Sequence, residues 1–273
     1  MAKFCLIPTQ TRSESPSPLI SDFPTFAAMK LRQKLYSVYG FSMFALVFLA
    51  LLPFFILFIQ RKRWHRYTHT LNQLWAEIFL FLVGIPVKRE FRAPIHKNTS
   101  YVFCANHFSW LDIVLMGLAP PYFVFIGKKS LAKAPLFGYM YSKLHILVDR
   151  HSAKSRYETY VRCKEAVEAG KSITMFAEGG IRTDHPPHMA PFKDGAFRVA
   201  IEQQIPLVPV TIPFNWKILP GKDKLYVTWH RAKIIFHEPI PTTGLTLDDV
   251  ESLKNRVFDL IQEELLIQNR DEN

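Results

Sequence analysis

The chain has 273 residues, 49% of them hydrophobic and 23 of them Phe, with a formal net charge of +11 at neutral pH. A chain both greasy and basic points to an anionic membrane surface, where each Lys or Arg near lipid contributes roughly 1 kcal/mol. No aromatic-strand RNA signature, zinc-finger spacing or arginine-rich run supports nucleic acid as a partner. Cys5, Cys104 and Cys163 are scattered and odd in number, which suits a reducing compartment and argues against a disulfide framework or a metal site.

Residues 1–28 are rich in Ser, Pro and Thr, without periodicity, and read as a disordered leader that ends in the basic stretch Lys30 to Lys34. The leader lacks the form of a secretory signal, because its apolar stretch comes late, is long and has no small-residue cleavage site after it. Met29, directly before the basic stretch, is an alternative initiator. Leu35 to Ile59 carries no charge, and its apolar part is about long enough to cross a bilayer core of roughly 30 Å. Basic residues flank it on both sides (Lys30, Arg32 and Lys34; Arg61, Lys62, Arg63 and Arg66), so charge gives no orientation. A second apolar stretch, Leu71 to Val87, contains Trp75 and Glu77 and spans less well. Three readings stand: a helical pair that enters one leaflet and returns, a single span followed by an interfacial helix, and a soluble core helix. The boundaries drawn are 1–34 for the leader, 35–90 for a membrane-associated helical segment, and 91–273 for a catalytic domain.

After Pro94 short strands alternate with amphipathic helices, which predicts an α/β domain with a mixed central sheet flanked by helices. Strands are predicted at Tyr101–Ala105, Tyr122–Ile126, Ile146–Val148, Ile173–Phe176, Leu207–Ile212 and Tyr226–Phe236. Helices are predicted around Pro135–Tyr141, Ser155–Ala169, Phe192–Glu202 and Leu247–Leu266. The last opens on Thr246 and Asp249, a capping-box spacing, and repeats Val250, Leu253, Val257 and Ile261 on one face.

The run Asn106-His107-Phe108-Ser109-Trp110-Leu111-Asp112 follows the first of these strands. Histidine accepts a proton near neutral pH, and a carboxylate on its second ring nitrogen fixes the tautomer and stabilises the charged form. In a straight helix an offset of five turns one side chain about 140° from the other. If the pair meets, the chain must turn between them, as strand, tight turn and a helix entered near Ser109. Cys104 offers a rival Cys/His nucleophile, but strand geometry locks it to its own face. Ser109 lacks the G-x-S-x-G elbow of a serine hydrolase. His185-Pro186-Pro187-His188 reads as a solvated turn, with no cysteine or carboxylate at ligand spacing.

Further blocks follow: Val148-Asp149-Arg150, then Phe176-Ala177-Glu178-Gly179-Gly180-Ile181-Arg182, then Pro206-Leu207-Val208-Pro209-Val210. In this order and at these distances, residues 95 to 215 resemble the glycerolipid acyltransferase family, which includes the 1-acylglycerol-3-phosphate acyltransferases. Its hallmarks are Asn-His-x4-Asp, an arginine block, Glu-Gly-Thr-Arg and a Val/Ile-Pro-hydrophobic strand. The resemblance implies His107 as general base, Asp112 orienting it, and an acceptor phosphate held by Arg150, Glu178, Gly179, Gly180 and Arg182, with Lys193 sharing the task. Here the chain departs from the pattern: the threonine is missing and Arg182 stands four residues after Glu178 instead of three. Lys128 and Lys129 resemble the family's basic segment before its arginine block.

The implied reaction carries an acyl chain from acyl-CoA or acyl carrier protein to the free hydroxyl of 1-acylglycerol-3-phosphate and forms phosphatidate. It implies no metal, and no cofactor beyond that thioester co-substrate, with membrane lipids as partners and the catalytic domain on the cytoplasmic face. Alternatives are another lysophospholipid or acylated acceptor, or a non-catalytic lipid-binding protein on the same fold. No feature of the sequence speaks to oligomeric state.

Overall fold

The computed structural model describes residues 30–120, 122–133, 136–149, 152–221 and 226–271. The leader at 1–28, the alternative start at Met29, and Arg150 lie outside these residues. Helix α1 (Leu31–Ile59) runs through the charge-free stretch for 29 residues, with Pro53 inside it. Among the described residues it is one helix long and apolar enough to cross a membrane. Helix α2 (His65–Leu82) follows after a short 3-10 turn at Lys62–Trp64.

The two helices form an antiparallel hairpin. Tyr36 and Tyr39, near the start of α1, donate their hydroxyls to Val83 O and Leu82 O at 2.8 Å each, at the end of α2. Phe44 packs edge-on against Trp75 and Phe79, with ring centroids 4.8 and 5.5 Å away. Both ends of α1 are also held by the α/β domain. Ser37 Oγ accepts from Val227 N–H at 2.8 Å, while Phe55, Ile59 and Leu71 pack with Met140 and Leu144. The opposite face of α1 presents Leu35, Val38, Leu46, Leu49, Phe54 and Leu57 to the outside. At 100° per residue these six fall on one side of the helix.

Seven strands form one sheet in the order β1-β7-β6-β2-β5-β3-β4. They are β1 (Val87–Phe91), β2 (Val102–Ala105), β3 (Phe123–Lys128), β4 (Ile146–Val148), β5 (Ser172–Phe176), β6 (Leu207–Thr211) and β7 (Ala232–Phe236). Every neighbouring pair is parallel except β6 with β7. The carboxyl ends of β6, β2, β5, β3 and β4 therefore share one edge. The mixed sheet flanked by helices agrees with the expected fold class.

Side chains alternate across β2. Phe103 and Ala105 face a core shared with α2 and with α3 (Leu111–Met116). Val102 and Cys104 face α5 (Ala153–Glu168), α6 (Gly195–Glu202) and α8 (Val250–Arg270). The remaining helices are α4 (Phe137–Leu144) and α7 (Asn215–Ile218). Helix α8 is preceded by the capping box of Thr246 with Asp249, and Val257, Ile261 and Leu265 on its inner face are fully buried.

Two expectations need correction. Tyr226–Phe236 is a strand only from Ala232. The preceding residues serve the hairpin instead: Val227 N–H is taken by Ser37, and Trp229 Nε1 donates to Gly84 O at 2.7 Å. Strand β1 was not expected, because its Lys88-Arg89-Glu90 centre hides an apolar pattern. As an edge strand it leaves Lys88 and Arg89 exposed, while the partly buried Glu90 pairs with Lys233 of β7 at 3.0 Å.

Candidate active site

The site begins where β2 ends. Asn106 continues the ladder with its side chain: Nδ2 donates to Ile212 O at 3.0 Å, and Oδ1 accepts from Ile212 N–H at 2.8 Å. This ties the end of β2 to the chain after β6 and forces the following residues out of the sheet. The chain then wraps around a carboxylate in the first turn of α3. Asp112 Oδ2 accepts from His107 Nδ1 at 3.0 Å and from the backbone N–H groups of Phe108 and Ser109 at 2.8 Å each. The turn thus brings together a pair that a helix would separate.

Asp112 is fully buried and His107 nearly so. The second carboxylate oxygen accepts from Asn215 Nδ2 at 2.9 Å. Four donors on one buried carboxylate fix its plane and position. The carboxylate in turn keeps the proton of His107 on Nδ1, so the lone pair lies on Nε2. Nε2 has no hydrogen-bond partner among the described residues. Phe176, the last residue of β5, stacks on the imidazole at 3.9 Å with an interplanar angle of 15°, which sets the plane of the ring.

Ser109 is occupied locally. Its hydroxyl donates to Leu219 O at 2.6 Å and accepts from Leu111 N–H at 3.0 Å, so it supports the turn and does not act as an esterase nucleophile. Cys104 is also removed from the chemistry. It is fully buried on the opposite face of β2, and burial pushes its thiol well above the ordinary range.

Glu178 is placed differently from expectation. It is fully buried, and its two oxygens accept from His107 N–H at 2.7 Å and from Ala190 N–H at 2.9 Å. Burial pushes its carboxyl up to about 7, opposed by those two backbone bonds and reinforced by the Asp112 charge. The expected substrate contact is therefore corrected: this carboxylate clamps the backbone of the histidine turn to the loop at Ala190. Desolvation makes an unpaired carboxylate costly there, and two N–H donors are what make the position tolerable.

Gly179 and Gly180 follow with φ of 79° and 142°, conformations that favour glycine. An added Cβ on Gly180 would meet no atom within 4 Å, so backbone angle and not space explains this glycine. Arg182 and Lys193 are exposed. Lys193 N–H donates to Ala177 O at 2.8 Å, which returns the loop to the end of β5. Arg182, Lys193 and the glycine turn therefore flank the strand next to β2, about 4.8 Å across the sheet. His185 and His188 lie in an exposed turn closed by His188 N–H to His185 O at 2.9 Å.

Sequence reasoning missed Asn215. A lone Asn after an apolar strand carries no local signal, and its partner Asp112 is 103 residues away.

Residues 86–213, which contain the His107–Asp112 turn, match the family model described as Acyltransferase. Among its relatives, the 1-acyl-sn-glycerol-3-phosphate acyltransferase of Haemophilus influenzae is 28% identical over 67% of this chain and 76% of its own. A chloroplastic 1-acyl-sn-glycerol-3-phosphate acyltransferase of Brassica napus is 30% identical over 69% of this chain, which spans 54% of that protein. The chain thus covers about half to two thirds of the first curated relatives it matches. The crystal structure of the 1-acyl-sn-glycerophosphate acyltransferase PlsC from Thermotoga maritima shares the fold. Its TM-score is 0.73 at 21% identity, over 87% of this chain and 96% of that one.

Proposed function

We propose that the protein transfers an acyl chain from a thioester donor, acyl-CoA or acyl carrier protein, to the free hydroxyl of 1-acylglycerol-3-phosphate and forms phosphatidate. The observation that carries this reading is the imidazole with Nδ1 held by Asp112 and Nε2 without a partner among the described residues. His107 Nε2 takes the proton of the acceptor hydroxyl as its oxygen bonds to the thioester carbonyl carbon. The tetrahedral adduct then collapses, the carbon–sulfur bond breaks, and the imidazolium returns the proton to the departing thiolate. The products are an ester and a free thiol. Atoms and charge balance, with Asp112 stabilising the imidazolium in between.

Arg182, Lys193 and the Gly179–Gly180 turn stand one strand from the base and are assigned to the acceptor phosphate, which favours guanidinium and exposed backbone donors. Arg150 is assigned to the same task on its family match alone. The apolar outer face of α1 is assigned to one leaflet of a membrane, where the acceptor resides. Both ends of α1 rest on the α/β domain, which favours a hairpin lying in the leaflet over a helix that crosses it. The domain then faces the cytoplasm, where the donor is.

Labelled acyl donor with 1-acylglycerol-3-phosphate in mixed micelles tests this. His107→Ala is expected to lower turnover by about 10²–10⁴-fold, the worth of a positioned base, with vesicle binding intact. Equal turnover in the variant would remove the general-base reading.

A further inference from the structure

The elbow between α1 and α2 lies at the opposite edge of the sheet from His107. Tyr122 and Lys171 directly precede β3 and β5, and Lys143 stands near the end of α4, just before β4. From Lys171 the five residues of β5 run about 17 Å, at roughly 3.3 Å each, to Phe176 on the imidazole. Lys62, in the 3-10 turn of the elbow, meets this edge. His69 of α2 packs its ring on Tyr122 at 5.7 Å, and Lys171 Nζ lies over the same ring at 5.3 Å. Leu144, beside Lys143, packs with Ile59 at the end of α1. The charges of Lys171, Lys62 and Lys143 all bear on His65.

None of the three lysines forms an ion pair among the described residues. Glu168, the acid nearest to Lys171 in sequence, pairs with Lys164 at 4.0 Å. Pro121, Ala134 and Pro135, which adjoin these elements outside the described residues, carry no charge. Lys171 is half-buried, and burial, followed by the charge of Lys62, holds its ammonium below the usual lysine range. A desolvated cation beside another cation is costly unless an anion joins them. The surroundings say which anion. The outer apolar face of α1 runs to Phe54 and Leu57, just ahead of the elbow. Tyr67 and Tyr139 are exposed there, with Lys143 Nζ over the Tyr139 ring at 5.8 Å and the Arg63 guanidinium over Trp64 at 5.4 Å. Amphipathic aromatics and cations at the end of an apolar face suit the headgroup level of a bilayer.

We propose that Lys62, Lys143 and Lys171 bind the headgroup phosphate of an anionic phospholipid, at a site separate from the catalytic one. The assignment rests on the reading of α1 as the membrane face. Ammonium groups hold phosphate by charge-assisted hydrogen bonds, and each lysine near anionic lipid is worth about fivefold in binding. Helix α1 starts near the catalytic edge, where Ser37 holds Val227 ahead of β7, and ends at the elbow. A lipid held at the elbow therefore lays α1 along the leaflet, with the catalytic edge at the same depth.

The test is flotation of the triple variant Lys62→Gln/Lys143→Gln/Lys171→Gln with two kinds of vesicle, one of equal parts phosphatidylcholine and phosphatidylglycerol, the other of phosphatidylcholine alone. Affinity for the mixed vesicles is expected to fall roughly a hundredfold, with binding to the neutral vesicles unmoved. Lys62→Gln/Lys143→Gln spares the half-buried Lys171 and is expected to lose about twentyfold. As a control, Lys88→Gln/Lys97→Gln/Lys164→Gln removes the same charge from exposed lysines elsewhere, and a loss of less than about fivefold is expected. Equal losses in the two triple variants would reduce the effect to net charge and overturn the proposal. Competition by inorganic phosphate, at the concentration of the vesicle phosphate, would assign the site to a free anion and overturn it too. Wild-type protein that floats with neither vesicle would remove the membrane reading of α1, and the proposal with it. Turnover of the triple variant in neutral detergent micelles is expected to match wild type, because the lysines stand at the other edge of the sheet. Lost binding to mixed vesicles in a protein without acyl transfer would leave the headgroup site standing and sink the proposed reaction. Transfer with unchanged vesicle binding is the reverse case.

Discussion

The histidine turn and the N-terminal hairpin are specified in opposite ways. Around Asp112 the chain spends its polar groups sparingly and completely: three donors come from within five residues and a fourth from Asn215. Along α1 no single contact is decisive, and a broad apolar face is left uncovered. The first region depends on geometry and fails through one atom. The second depends on area and fails in proportion to the area lost.

Asp112→Asn is the sharpest way to break this contrast. It keeps the shape but replaces one acceptor oxygen with an NH₂ group, removes the buried charge and sets donors against donors. We expect turnover to fall by about 10²–10⁴-fold and stability by about 3 kcal/mol, read by acyl transfer and thermal melting. A variant with near-normal turnover would show that the carboxylate does not set the tautomer. On the hairpin, Leu46→Lys with Leu49→Lys removes two exposed apolar side chains, and vesicle affinity is expected to drop roughly a hundredfold. The melting temperature should stay close to that of wild type, because both residues face outward. A loss of folding instead of binding would place this face inside the protein's own core.

Glu178→Gln gives the smallest and most specific effect. Burial raises the carboxyl from 4.5 to about 7, so between those values the unfolded chain releases a proton that the folded chain keeps. Its contribution to stability is full below 4.5 and is lost as pH rises towards about 7. Glutamine cannot titrate, so the variant should show a flatter decline in melting temperature across that window. Identical slopes in the two proteins would mean that Glu178 titrates normally and that its two backbone bonds fully offset its burial.

Local chemistry made much of this legible. Strand β4 lies at the predicted residues, and the capping box and inner face of α8 are where their spacing put them, because periodicity and capping act within a few residues. The His107–Asp112 pair was visible for the same reason, and so was the apolar stretch of α1. Glu178 was legible as a residue of consequence but not in its task, since its partner His107 is 71 residues away.

What the amino-acid order alone determined is the inventory: an apolar anchor, alternating strands and helices, and a histidine with an acid beyond a strand. Only the tertiary structure decided that β5 and β6 flank β2, which brings Glu178 beneath the histidine turn and Asn215 onto Asp112. Strand order is a property of the whole hydrophobic core, and short-range propensity does not carry it.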